Sequence, residues 1–153
     1  MSNNSTDVRG EYFDGVISRD FYDTICTKRI GYGVTRQVFE ANPLLMPNKV
    51  VKIEVGTGHF QNQLEWIMWE RWKSDKKVSK WLIPCVSISP SGIVLIQERG
   101  RPMEDNERPK KIPAWAADTK PENWSIYEGR PVMHDYGHIA SQIRHVMEEA
   151  VWL

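Results

Sequence analysis

The segment Lys49-Val-Val-Lys-Ile-Glu-Val55 constrains the fold more tightly than any other part of the chain. Its β-branched residues, bounded by Gly56 and Gly58, predict a β-strand. Side chains alternate between faces along a strand, so Val51 and Ile53 share one face while Val50 and Lys52 share the other. A lysine in mid-strand has two outcomes. Either its face is solvated and the ammonium is merely exposed, or the face is covered and the charge needs a partner to offset its desolvation. A helix is expected next, over residues 60–74, where Leu64, Ile67, Met68 and Trp72 recur at helical intervals and Trp66 and Trp69 widen the apolar arc. That helix supplies two candidate partners, Glu65 and Glu70.

Around this pair of elements the chain reads as follows. Residues 1–10 are polar, and residues 11–25 carry Tyr12, Phe13, Val16, Ile17, Phe21, Tyr22 and Ile25 at spacings that predict a short helix feeding a strand. From Thr24 the pattern is strand, Gly31-Tyr-Gly33, strand; Asn42-Pro43 and Met46-Pro-Asn48 then form a loop. Ser79–Cys85, Val86-Ser-Ile-Ser, the Pro90-Ser-Gly92 turn and Ile93–Gln97 predict a β-hairpin. Residues 99–112, rich in charge and proline, read as a solvated linker. Residues 138–153 read as a helix with Ile139, Ile143, Val146 and Met147 on one side. Strands followed by an inserted helix and a polar loop region give an α+β class. The expected division is an extension over 1–23, a strand-rich lobe over 24–98, and a loop region over 99–153.

Composition narrows the function classes. Lysine plus arginine equals aspartate plus glutamate, at 20 each, so the chain lacks the basic excess of a nucleic-acid binder. Cys26 and Cys85 are too few and too far apart for a disulfide scaffold or a zinc site, and two buried thiols in a reducing compartment are expected. The first residues lack the basic and apolar regions of a secretory signal, and no apolar run reaches the ~20 residues that cross a bilayer. A cytoplasmic protein that contacts neither membrane nor nucleic acid is the expectation. Seven tryptophans is a high count for this length and serves both core filling and interfaces.

Two further stretches carry possible chemistry. Gly31-x-Gly33 lies between strands, so it is neither a dinucleotide fingerprint nor a Walker A loop; it is a tight turn or a place where backbone approaches a ligand. Asp118-Thr-Lys-Pro-Glu-Asn123 precedes a short predicted hairpin, and Asp135-Tyr-Gly137 follows it. Read blandly, these are acidic turns. Read chemically, two carboxylates and an amide supply oxygen ligands of the kind Mg²⁺ takes alongside water and phosphate. His134 and His138 flank the second stretch and read as solvated or core histidines.

Taken in order, these features resemble the protein kinase family, serine/threonine type, over residues 24–137. Gly31-Tyr-Gly33-Val-Thr-Arg36-Gln-Val38 resembles the Gly-rich loop, and Val50-Val-Lys52 resembles the strand that bears the phosphate-binding lysine. Asp118-x-Lys120-Pro-Glu-Asn123 is similar to the catalytic loop, and Asp135-Tyr-Gly137 to the Asp-Phe-Gly motif. The resemblance implies a small lobe of antiparallel sheet with one long helix, binding ATP and Mg²⁺. In it Lys52 holds the α and β phosphates and Glu65, in preference to Glu70, anchors that lysine. Gly31, Gly33, Val38 and Val50 surround the nucleotide, and Gln97 and Glu98 lead into the adenine-binding hinge. Asp118 orients an acceptor hydroxyl, Lys120 steadies the transferring phosphoryl, and Asn123 and Asp135 hold the metal.

The sequence departs from that family at several points. Arg36 stands at the third glycine, where it either clamps a phosphate or crowds the loop, and Ala116-Ala117 replaces the His-Arg before the catalytic aspartate. The stretch from Glu98 to Asp118 is short for the usual helical scaffold, and no Ala-Pro-Glu follows Gly137. The compact kinase-like proteins of bacteriophages are similar in this respect, which would place the chain in a host cytoplasm. The implied acceptor is small, partner-presented or the protein itself. The alternative is a catalytically silent kinase-like protein that binds and regulates a protein partner, with a homodimer as one form.

Overall fold

The computed structural model describes residues 20, 22–33, 35–54, 60–116, 118–139 and 143–153. Val16, Ile17, Val55, Gly56, Gly58 and the earliest helical positions considered above lie outside them. The chain divides into two units, Met1–Gln63 with Val86–Gln97, and Leu64–Cys85 with Glu98–Leu153. The α+β class holds, with mostly antiparallel strands and few helices. No helix among the described residues is long and apolar enough to cross a membrane.

The first unit is built on a five-stranded sheet of β1 (Cys26–Tyr32), β2 (Arg36–Ala41), β3 (Lys49–Glu54), β4 (Cys85–Ile88) and β5 (Val94–Glu98), in the order β1-β2-β3-β5-β4. β2 pairs antiparallel with both β1 and β3. Alternation along β3 sends Val51 and Ile53 into a core with Tyr22, Cys26, Phe39 and Ala41, where the Tyr22 ring meets Phe39 edge-on at 5.3 Å. The opposite face is covered as well: Val50, Lys52 and Glu54 are all buried. The exposed outcome for Lys52 is therefore excluded. The loop into β3 is closed by Asn42, whose side-chain amide donates to the Thr24 carbonyl and whose Oδ1 accepts from the Leu44 N–H.

The predicted long helix is α1 (Gln61–Trp72), but its buried side is not the expected Leu64–Ile67–Met68 stripe. Asn62, Glu65 and Met68 are buried, whereas Leu64 is 40% and Ile67 52% exposed. The first turn is held by hydrogen bonds. Asn62 donates its N–H to the Glu54 carboxylate and its side-chain amide to the carbonyls of Lys52 (3.1 Å) and Ile93 (2.8 Å). A helix start normally leaves its first N–H groups without intrahelical partners, so these bonds anchor the first turn of α1 to the end of β3.

In the second unit, α2 (Lys76–Ser79) is capped by Asp75, which accepts from the Lys77 N–H at 2.9 Å. A three-stranded sheet follows, made of β6 (Arg101–Pro102), β8 (Trp124–Tyr127) and β9 (Arg130–Met133), and a two-stranded one of β7 (Lys111–Pro113) and β10 (Met147–Glu149). Two expectations are corrected here. Residues 99–112 are ordered by short strands and by a turn in which the Arg101 guanidinium holds the Glu107 carboxylate two-pronged, one contact at 2.7 Å, so charge and proline mark a structured corner instead of a linker. The terminal helix is absent from residues 143–153, because Met147–Glu149 pairs with Lys111–Pro113 and the supposed helical stripe has no surface to bury, with Val146 and Met147 exposed.

Two tests follow from this packing. Gly100 lies against β8, where an added Cβ would meet the Ser125 side chain and come within 2.8 Å of the Ile126 carbonyl. Gly100→Ala should cost about 1–3 kcal/mol in urea denaturation, as overpacking does. Burial, reinforced by Asp23, pushes the Cys26 thiol up to about 12. The folded state thus holds a proton that the unfolded chain releases near about 8.5. This contribution is complete below that pH and is lost as pH rises toward 12. The fall in stability above pH 9 should be shallower in Cys26→Ala than in the parent, read by melting temperature across pH.

Candidate functional site

In the first unit the sheet register gathers the sequence candidates. Gly31 pairs with Val38, and Val38 pairs with Lys52, so the three form one cross-strand row on one face. Val50, two residues from Lys52, shares that face. The turn between β1 and β2 is closed by the Gly33 N–H donating to the Arg36 carbonyl at 2.7 Å. A Cβ at Gly31 would meet Val38 only at an ordinary 3.7 Å, so this packing does not itself demand glycine there. Arg36 begins β2 opposite Glu54, is buried, and donates to the Asn62 Oδ1 at 3.3 Å. Gln97 is buried on β5.

Lys52 is 3% exposed and engaged by its surroundings. The two glutamates of α1 separate cleanly. Glu65 is fully buried and likewise engaged, while Glu70 stands at the surface in an ion pair with Lys73 at 2.7 Å. A buried carboxylate persists only with partners, whereas an exposed i,i+3 pair contributes little. Glu65 is thus the acid with a structural commitment.

In the second unit a two-residue hairpin turn sets the geometry. Glu128 (φ 49°) and Gly129 (φ 76°) both take left-handed backbone, the requirement of a type I′ connection. The turn fixes the pairing from Tyr127↔Arg130 to Trp124↔Met133. One step further the His134 N–H donates to the Asn123 carbonyl at 3.1 Å. Asn123 and Asp135, twelve positions apart in sequence (135 − 123 = 12), are thereby brought to the same end of one hairpin.

Asp118 is held at that end by several bonds. One carboxylate oxygen accepts from the Asn123 side-chain amide at 2.6 Å, the other from the Lys120 N–H at 3.2 Å, and its backbone carbonyl accepts from the Trp124 indole at 2.6 Å. Asp118, Asn123 and Asp135 are half-buried and Lys120 is exposed. Tyr136 is fully buried; its hydroxyl donates to the Ile83 carbonyl at 2.8 Å, which leaves the oxygen to accept from the Cys85 thiol at 3.1 Å. The Glu98 N–H, taken above as part of a hinge, donates to the Pro84 carbonyl at 2.9 Å. His134 is half-buried and His138 exposed. Among the described residues no three His, Cys, Asp or Glu side chains group closely enough to hold a metal by themselves.

Sequence reasoning missed the Glu54–Asn62–Arg36 network and the bonds of Thr119 and Trp124 around Asp118. A usable signal for the first was the pair of polar residues at the end of β3 and the start of α1, where a helix N-terminus needs acceptors. A scan against protein-family models matches none of them, and a search of curated proteins finds no matching relative. Asn62→Ala should destabilise the protein by about 2 kcal/mol or more, since it removes three buried or part-buried side-chain hydrogen bonds at once, to the Lys52 and Ile93 carbonyls and from the Arg36 guanidinium. Urea titration against a Gln63→Ala control checks it.

Proposed function

We propose that the chain is a protein-kinase-like domain that binds ATP with Mg²⁺ and transfers the γ-phosphoryl group to a small or partner-presented acceptor or to itself. The observation that carries this reading is Asp118, Asn123 and Asp135 at one end of a single hairpin, with the Asn123 amide nitrogen turned to Asp118. That orientation leaves the Asn123 Oδ1 as the atom with ligand chemistry for a cation. One carboxylate and one amide oxygen suit Mg²⁺, which completes its shell with phosphate and water. Asp118, acceptor-only and pinned at both oxygens, is suited to orient a hydroxyl, and exposed Lys120 to meet phosphoryl charge.

Residues elsewhere in the chain support the same reading. A buried lysine on the third strand, followed by a helix with a buried glutamate, is the placement that protein kinases use for their phosphate-binding lysine and its acid. Gly31, Val38, Val50 and Lys52 on one sheet face supply close backbone approach, two apolar surfaces and a cation. Gln97 and Glu98 end β5 where the family places its hinge.

Calorimetry with ATP and Mg²⁺ should show binding. Asp135→Ala and Lys52→Ala should each weaken it tenfold or more, about 1.4 kcal/mol. Asp118→Ala should retain binding and lose turnover, because it removes an interaction made with the acceptor. Absence of any heat or thermal shift at millimolar ATP would end this reading. The alternative, a silent kinase-like protein that engages a protein partner, has its own observation in the exposed Leu64 and Ile67 of α1. A stoichiometric partner retained by Asp118→Ala and lost by Leu64→Asp would favour it.

A further inference from the structure

We infer that Thr119 and Trp152 are positioning residues for Asp118, and that the segment Met147–Leu153 acts as a strap holding the Asp118–Asn123 loop in its working conformation. This rests on the function proposed above only for the role given to Asp118.

The strap is built from both backbone and side chains. β10 pairs with β7 in the register Met147↔Pro113, Glu148↔Ile112 and Glu149↔Lys111. Beyond it the Ala150 N–H donates to the Lys110 carbonyl at 2.8 Å, and the Trp152 indole to the Pro109 carbonyl at 3.0 Å. The segment then meets the loop on both sides of one residue. The Thr119 hydroxyl donates to the Val151 carbonyl at 2.6 Å, and the Thr119 carbonyl accepts from the Leu153 N–H at 3.3 Å. Thr119 lies between Asp118 and Lys120, so this two-sided contact fixes the backbone from which both side chains project.

A second line runs through tryptophan. The Trp152 ring packs edge-on to Trp124 at 5.2 Å, and Trp124 meets Trp81 the same way at 6.3 Å. Trp124 is the residue whose indole donates to the Asp118 carbonyl. Trp152 therefore orients the side chain that orients Asp118. The strap has little else to keep it there: Val151 is 74% and Leu153 76% exposed, and Met147 is exposed too. Apolar burial that weak does not immobilise a segment, so its hydrogen bonds and the Trp152 indole carry the attachment, with the exposed Glu149–Lys111 ion pair and the Arg108 guanidinium over the Trp152 ring adding little.

Native-state hydrogen exchange on the full chain tests this directly. The probes are the Trp124 indole N–H and the backbone amides of Lys120 and Asn123. Thr119→Val, which keeps the shape and removes the hydroxyl, and Trp152→Ala should each speed exchange at these sites about tenfold, the effect of losing one or two hydrogen bonds. Amides of the β8–β9 hairpin should change much less, and Thr119→Ser should restore the parent rates. Unchanged rates at the loop, or equal acceleration across loop and hairpin, would overturn the inference by showing no strap or a merely general loss of stability. If the parent binds ATP, the same variants should lower kcat more than they weaken nucleotide binding. If it does not, the proposed function fails while the exchange result still decides the strap.

Discussion

The first unit depends on one side-chain amide. Asn62 is wholly buried at the start of α1, and its amide nitrogen reaches the carbonyls of Lys52 on β3 and Ile93 next to β5. Its N–H is taken by Glu54 and its Oδ1 by Arg36. Each of these groups is costly to bury alone, and together they are satisfied. The network also joins the end of β3 to the first turn of the helix, so hydrogen bonds between separate segments take priority there over an apolar stripe. Glu65 and Met68, further along the helix, are buried, while Leu64 and Ile67 are exposed.

That priority explains where reading the sequence succeeded and where it did not. Strands were legible wherever β-branched residues met clear punctuation, as at Lys49–Glu54 and around the Pro90-Ser-Gly92 turn, because alternation and turn chemistry are local. The helix was legible as an element but not in its orientation, since Leu64 and Ile67 form the better apolar stripe and are exposed nonetheless, while the first turn is tied by hydrogen bonds to residues from other strands. The segment after Ile143 failed for the same kind of reason. Its helical spacing was real, but partners for Met147–Glu149 stand at Lys111–Pro113, a non-local pairing that no window of sequence contains.

The candidate site divides along similar lines. The row Gly31, Val38 and Lys52 could be anticipated from strand periodicity plus one hairpin register, whereas the burial of Glu65 and the exposure of Glu70 follow from a helix orientation the sequence did not show. The arrangement around Asp118 needed the type I′ turn at Glu128-Gly129 to bring Asn123 and His134 together, and an Glu-Gly dipeptide announces a turn without announcing its register. Thr119 and Trp152 gave no sequence signal at all, because a threonine beside an aspartate and a lone tryptophan are ordinary until their partners are known.

The role proposed for Asp118, a carboxylate that orients a hydroxyl, demands that it stay put while charge moves around it, and pre-organisation of this kind is worth more than the strength of any one contact. Asp118 meets that demand through unlike supports. Asn123 and Lys120 hold its carboxylate oxygens, Trp124 holds its carbonyl, and Thr119 ties the adjacent peptide to a separate strand of chain. Among the described residues from 98 to 153 no α-helix backs this loop. Short strands, an edge-packed set of tryptophans and the segment after β10 take up that work. Three of the seven tryptophans have a structural task here: Trp81, Trp124 and Trp152 supply large rigid surfaces where helices are lacking, and the Trp124 and Trp152 indoles each donate a hydrogen bond to backbone as well.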